Sequence, residues 1–348
     1  MIVGFRFSVA GIGAVLIVSA GLLAQSVAPR PAVPREPITA IIDTFKTHPL
    51  VALGEGSHGN EQGHRFRLSL IRDPRFVATV NDIVVESGTA RYQDVMDRFV
   101  AGENVPNDLL QREWQDTTQP TAIWDLPIYE EFFRTVREVN ASLPRERRLR
   151  VLLGDPAMNW DNIGSLADLN KFAGSRDVHA ADVIRREVLA KNRRALLIYG
   201  DDHFGKKTRG LTGDERPANV VGELEKSGTR VFVIHTETRL DLKTVQPDVA
   251  TWPKPSFATL QGTHLGAAIF EPNPRLRDRA TEELFDAVLY LGSPSEITMA
   301  QIAPSRCKDN GYVVMRLRRL ALLPGPPPQA PPGTLGPLDR FKQECGLR

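Results

Sequence analysis

The chain has 348 residues, 41% apolar and 25% charged, which is enough non-polar side chain for a sizeable core and excludes a disordered chain. The net charge is +2 and no Lys/Arg stripe with interleaved aromatics is present, so no nucleic-acid partner is expected. The short basic runs RERRLR and RLRRL read as solvated flanks.

In chain order, the first segment is Arg6 followed by an apolar run from Phe7 to Ala24, then Ser-Val-Ala before Pro29. A basic residue, an apolar stretch and a small-residue exit form a signal-peptide pattern. The run is also close to the ~18 residues that suggest a spanning helix, and Pro29 directly after the candidate cut hinders cleavage. Residues 1–28 are therefore expected to be a signal peptide or an N-terminal membrane anchor. Either way the body is exported: periplasmic, secreted or anchored facing outside the cytoplasm. Residues 29–37, PRPAVPREP, read as a proline-rich linker. The globular body is expected over residues 38–322 as a single domain. The segment from Leu323 to Pro337 opens a proline-rich tail over residues 323–348, expected to be extended. The two cysteines, Cys307 and Cys345, lack the CxxC spacing of a thiolate zinc site. In an exported chain they can join the tail to the body as a disulfide, or remain two thiols.

Within the body, six short apolar runs alternate with longer helix-like segments. The runs are PLVALGE, DIVVES, LRVLLGD, ALLIYGDDH, RVFVIHTE and FDAVLYLG. Near-continuous apolar runs of this length are what strands buried on both faces look like. Segments such as YQDVMDRFVAG and IYEEFFRTVREVNASL carry apolar residues at helical spacing. The alternation predicts an α/β fold: a parallel or mostly parallel sheet between two layers of helices. GYVVMRLRRL, Gly311 to Leu320, reads as a last strand at an edge.

In such sheets the site forms beyond the carboxyl ends of the strands. The first run delivers Glu55 and His58 there, the second Glu86, the third Asp155, the fourth Asp201, Asp202 and His203, and the fifth His235 and Glu237. Each has a plainer reading. Glu55 suits a helix N-terminus, Asp155 before Pro156 is a turn former, and His235 can be a core histidine. His64, His179 and His264 read as bland surface residues. The repetition of ionisable strand ends points to an enzyme. There is no G-x-S-x-G elbow, and Ser57, adjacent to His58, is poorly placed for proton transfer to it.

VALGEGSHGNEQGHRFRLSLI, DIVVESG, DRFVAG, VLLGDP and LIYGDDH together resemble the erythromycin esterase-like family over about residues 50–292. The resemblance implies an exported hydrolase acting on an ester or related acyl bond of a small-molecule substrate. In it a histidine activates water without a covalent serine intermediate, and glutamates orient or polarise it. It implies Glu55, His58, Glu86 and His203 as catalytic residues and Arg67, Asp155 and Asp202 as substrate-binding residues, with no cofactor. The spacing from Asp155 to His203 is shorter than that family's, and YGDDH stands where the family has H-N-x-H. This shortening is similar to ChaN-like and TraB/TIKI-like proteins and argues against a large macrolide pocket. The alternative is therefore a haem- or divalent-metal-binding exported protein, since the same Glu and His types are suitable ligands.

Overall fold

The structure, a computed structural model, describes residue 1 and residues 28–207, 219–269, 279–331 and 333–347. The leader or anchor expected over residues 1–28 lies almost wholly outside the described residues. Among those described, no helix is long and apolar enough to cross a membrane.

Seven strands form one sheet: β1 (Leu50–Gly54), β2 (Asp82–Thr89), β3 (Arg150–Asp155), β4 (Ala195–Tyr199), β5 (Val231–Glu237), β6 (Ser256–Thr259) and β7 (Ala287–Tyr290). Helix α1 (Pro37–Thr44) precedes β1, and the helices up to β5 are α2 (Glu61–Arg72), α3 (Pro74–Thr79), α4 (Gln93–Val100), α5 (Asn107–Gln115), α6 (Pro127–Ala141), α7 (Leu166–Ala173), α8 (Arg176–Glu187) and α9 (Val220–Glu225). After β6 come α10 (His264–Ala267), α11 (Thr281–Leu284), α12 (Pro304–Cys307), α13 (Asn310–Leu320) and α14 (Pro337–Glu344). The strand order is β3-β2-β4-β1-β5-β7-β6, and every pair is parallel except β6 with β7. The mostly parallel α/β sheet matches the fold expected from the strand-helix alternation.

Alternation along each strand divides the core in two, because successive side chains leave a strand on opposite faces. Val51, Leu53, Ile83, Val85, Leu196 and Ile198 pack with Phe66, Phe76, Met96 and Phe133 of the α2–α6 layer. Leu50, Ala52, Val84, Leu197 and Val233 pack with Ile184 and Leu224 of α8 and α9. All strand residues of β1, β2 and β4 are buried. This is why these strands lack the polar alternation of a half-exposed sheet.

Three expectations are corrected. Gly311 to Leu320 is not a strand but most of α13. Its buried residues, Tyr312, Val313, Arg316, Arg319 and Leu320, recur at helical spacing, and Asp309 caps its N-terminus through Tyr312 N–H at 3.1 Å. Two of those buried residues are arginines, so the apolar pattern alone hides the helix. Arg316 Nη2 lies 2.7 Å from Asp125 Oδ2, and Arg319 Nη2 lies 2.5 Å from Asp116 Oδ1. The 29–37 linker is also not free of the body. Arg30 and Arg35 bridge to Thr263 and Phe257, and Ala32 is buried with both main-chain groups bonded to the Gln246 amide.

Nor is the tail extended throughout. Residues 337–344 form α14, whose Phe341 is buried against Tyr312, Val313 and Leu320. The Cys307–Cys345 disulfide fastens the end of α14 to α12 across 38 residues. Closing a loop of that size costs the unfolded chain entropy and so favours the folded state. Cys345→Ser is expected to lower stability by about 2–4 kcal/mol, read as a lower midpoint of denaturant unfolding in non-reducing buffer. An unchanged midpoint would show that the tail is fastened by packing alone.

Candidate functional site

The register of the central strands brings the carboxyl ends of β2, β4 and β1 level. Val85 and Leu53 both pair with Ile198, from opposite sides of β4. One step further, Glu86 on β2 and the Gly54–Glu55 end of β1 flank the β4 exit at Tyr199–Gly200. The Glu55 N–H donates to the Tyr199 carbonyl at 2.9 Å, extending the ladder by one residue.

After Glu55 the chain turns through Gly56 (φ +65°) and Gly59 (φ +87°), a conformation that side chains disfavour. At Gly56 a Cβ would also lie 2.4 Å from the Thr236 carbonyl. Asn60 closes the turn: its side-chain amide donates to the Glu55 and Ser57 carbonyls at 2.7 Å, and its Oδ1 accepts the Gly63 N–H at 2.6 Å, capping α2. This turn returns His58 over Glu55. His58 Nδ1 lies 2.8 Å from Glu55 Oε2, and His58 Nε2 lies 3.8 Å from Glu86 Oε2. The ring fits there because the β4 exit is a glycine. A Cβ on Gly200 would lie 3.1 Å from His58 Cε1 and Nε2.

Glu86 Oε2 accepts the Gly200 N–H at 2.9 Å, and Glu86 Oε1 lies 3.2 Å from His203 Nε2. His203 Nδ1 meets Asp177 Oδ1 of α8 at 2.5 Å. On the other side, Arg67 Nη2 lies 3.0 Å from Glu55 Oε1. That oxygen has no well-aligned hydrogen bond, so the attraction is mainly between charges. The result is one continuous row: Arg67, Glu55, His58, Glu86, His203, Asp177. The four residues expected to be catalytic are thus brought together.

Burial disfavours every charge in the row, and neighbouring charges oppose it. Glu55 is 2% exposed; burial pushes its carboxyl up, but Arg67 and His58 outweigh it and hold it below the ordinary value. Glu86 feels the same penalty, and His203, His58 and the Gly200 N–H hold it far below the carboxylate range. Burial pulls His203 down, yet Glu86 and Asp177 raise it well above 6.5. His58, also opposed by burial and by His203, is raised by Glu86 and Glu55.

The expected substrate-binding residues do not join the row in that role. Arg67 is 4% exposed on α2, behind Glu55, and its guanidinium meets Glu55 Oε1. Asp155 is buried and both its oxygens are taken by Thr118: the N–H donates at 2.6 Å and the hydroxyl at 2.5 Å. Burial pushes the Asp155 carboxyl up to about 7, against Arg176 and Thr118. It braces the segment that leads to Trp124 rather than presenting a free carboxylate. Asp202 is exposed on the turn after β4, and its carbonyl accepts from Asn219 at 3.4 Å. The Ser57 hydroxyl is 3.0 Å from that of Thr238, and the Ser57 N–H donates to the same atom. His64 is buried on α2 with Glu131 2.8 Å away.

Three contributors carry no signal in the sequence. Asp177 sits in the first turn of α8, where an acid is an ordinary helix-start residue. The Trp124 ring packs edge-on against His58 with centroids 4.8 Å apart. The Tyr129 hydroxyl accepts the Gly59 N–H at 3.1 Å and points to Glu55. A second buried cluster lies at the adjoining strand ends. His235 Nε2 is 3.0 Å from Glu237 Oε2, and its Nδ1 is 3.2 Å from Asp201 Oδ1.

His58 opens onto a cleft of about 390 Å³ walled by residues of the 119–126 and 299–302 segments and by α14. Among the described residues, no group of three His, Cys, Asp or Glu side chains is arranged to hold a metal ion.

No family model matches the chain, and no curated protein matches it in sequence. Solved structures do share its fold. A succinoglycan biosynthesis protein is similar with a TM-score of 0.52 at 10% identity, over 78% of this chain and 96% of its own. An erythromycin esterase in its open conformation aligns with a TM-score of 0.49 at 12% identity, over 76% of this chain and 94% of its own. The ChaN protein of Campylobacter jejuni, solved with cofacially bound haem, aligns with a TM-score of 0.39 at 14% identity, over 60% and 89%. At 10% identity the first likeness shows a common fold and nothing about chemistry; the other two carry no argument.

Proposed function

We propose that the protein is a hydrolase of the esterase type, in which His58 takes a proton from water as that water attacks an ester carbonyl. The observation that carries this reading is the placement of His58. It is the one member of the charged row that lines the cleft, and it is held between two buried carboxylates.

The roles follow from the contacts. Glu55 accepts from His58 Nδ1, which leaves Nε2 as the bare nitrogen that receives a proton. Arg67 keeps Glu55 ionised for that task. Glu86, 3.8 Å from Nε2, stabilises the imidazolium once it forms. Water supplies the nucleophilic oxygen, its proton passes to His58, and the tetrahedral intermediate then expels the alcohol, which takes that proton back. Arg67 is buried, and both ring nitrogens of His203 face carboxylates. The Ser57 and Gly59 N–H groups on either side of His58 already donate to Thr238 and Tyr129, so the polar side chains lining the cleft, Gln119, Thr121 and Gln301, are the candidate donors for the oxyanion. The disulfide supports the reading that the protein works outside the cytoplasm, where such bonds persist.

His58→Ala should lower kcat/KM for p-nitrophenyl esters by roughly 10²–10⁴-fold, with unchanged circular dichroism. Full activity in this variant would remove His58 as the base. Running the assay with a chelator tests the alternative: loss restored by one divalent cation would replace a histidine base with a metal-bound water.

The base must be neutral to act, and its flanking carboxylates raise its pKa. The acid limb of kcat/KM against pH should therefore have its midpoint above 6.5, the ordinary histidine value. An acid limb near pH 4 would point instead to a carboxylate base.

His203 is also raised on folding. Its contribution to stability is thus complete below about pH 6.5, the unfolded value, and is lost as pH rises through the folded value. Asp177→Asn removes one of its two carboxylates, so that loss should move to lower pH. Ring titration by NMR, with denaturant unfolding at a series of pH values, reads both. An unmoved His203 titration would mean that Glu86 alone sets it.

A further inference from the structure

The proposed chemistry leaves the substrate unspecified, and it does not use the C-terminal segment. Yet α14 forms one wall of the cleft onto which His58 opens. Nothing in a tail of proline-rich composition asks for such a placement, so what holds it there has to be found in the contacts.

Three attachments hold it. Phe341 is buried against Tyr312, Val313 and Leu320 of α13. The Cys307–Cys345 disulfide ties the end of α14 to α12. Then α13 is itself pinned to the residue next to Trp124: Arg316 and the Tyr312 hydroxyl both meet Asp125 Oδ2, at 2.7 and 2.6 Å. The wall is thereby coupled to the element that packs against His58. Ile123, Leu126, Met299 and Ile302 also line the cleft. Met299, on the lining of the cleft, remains 42% exposed. Nine of the fifteen residues lining the cleft are apolar; Gln119, Thr121 and Gln301 add uncharged polar groups, and Arg340 and Glu344 on α14 add charges of both signs and no net charge.

We infer that this cleft binds the carbon chain of an aliphatic ester, with the chain lying between α14 and Met299 and the carbonyl at His58. The substrate class is then an acyl ester with an apolar tail rather than a sugar or peptide ester. A cleft of about 390 Å³ has the size of sites for small organic ligands, and its continuity with His58 sets which end of the ligand reacts. This rests on the hydrolase reading for the reaction but not for the binding, and α14 acts as a specificity element in either case.

The test uses the full chain and two probes. The first is 2-decanone, a ketone with a carbonyl and an alkyl chain that cannot be hydrolysed, with 2-butanone as its short control. Binding is followed by calorimetry. The second is the p-nitrophenyl ester series from acetate to octanoate. The variants are Met299→Trp, which narrows the cleft from an exposed position, and Cys345→Ser, which releases the end of α14. The expected results are binding of 2-decanone but not 2-butanone by the wild type, and weakening of that binding by roughly tenfold in both variants. The octanoate-to-acetate ratio of kcat/KM should fall by a similar factor. Failure of every ester with 2-decanone still bound would sink the hydrolase reading and leave the cleft assignment standing. Equal binding of both ketones, or binding that neither variant weakens, would overturn the cleft assignment whatever the esterase result.

Discussion

Everything at the candidate site depends on two ionised carboxylates, Glu55 and Glu86, held almost out of water. Taking a carboxylate from water into a protein interior costs several kcal/mol unless charge and hydrogen bonds compensate. Here compensation comes from side chains on both flanks and from the Gly200 N–H. Removing any one partner leaves an uncompensated buried charge, so the row behaves as a unit. This also sets what the sheet has to provide. Two strand ends on either side of a third must hold acids level with each other, and the middle strand must leave room for the His58 ring, which a Cβ on Gly200 would crowd at 3.1 Å. The order β2-β4-β1 with Gly200 at the β4 exit meets that requirement.

The neighbouring cluster extends the same logic to the turn that carries His203. Burial pulls His235 down, yet Asp201 and Glu237 raise it to about 10, so it is cationic at neutral pH. Glu237 in turn accepts the Arg239 and Leu240 N–H groups at 2.6 and 2.7 Å. Asp201 precedes His203 by two residues on one short turn. Fixing Asp201 from the β5 side therefore helps aim His203 at Glu86 on the β2 side. His235, legible in the sequence only as a strand-end histidine, belongs to this scaffold and not to the cleft of His58.

How much of this could be read from the chain alone follows from burial. Six strands were legible because strands covered on both faces become continuous apolar runs, and the acids ending them stand out against that background. β6 was not. It has four residues, lies antiparallel at the edge and follows Pro253 and Pro255, so it carries neither length nor pattern. α13 was misread because its Val313–Val314 pair favours strands, while half of its buried face is polar and paired with Asp116 and Asp125. Those aspartates lie about 200 positions away, beyond any local pattern. Asp177 is hidden for another reason: 26 positions from His203, it reads as an ordinary helix-start acid, and Arg67 turns out to face Glu55 across the Gly56–Asn60 turn. Residue types at strand ends are visible in sequence; which of them face each other is decided by register and strand order.

The charges of the row explain why a proton would move to His58. With His203 cationic, the row holds two cations, Arg67 and His203, and three carboxylates, Glu55, Glu86 and Asp177. It is one positive charge short of neutrality until His58 takes a proton. On the proposed mechanism, the array is therefore better matched to the state after proton abstraction than to the resting state, which is what acceleration requires. The same imbalance raises the pKa of His58 before any substrate arrives. His203 moderates this: its charge opposes protonation of His58 and lowers Glu86. Without that second histidine Glu86 would hold a proton on His58 more firmly.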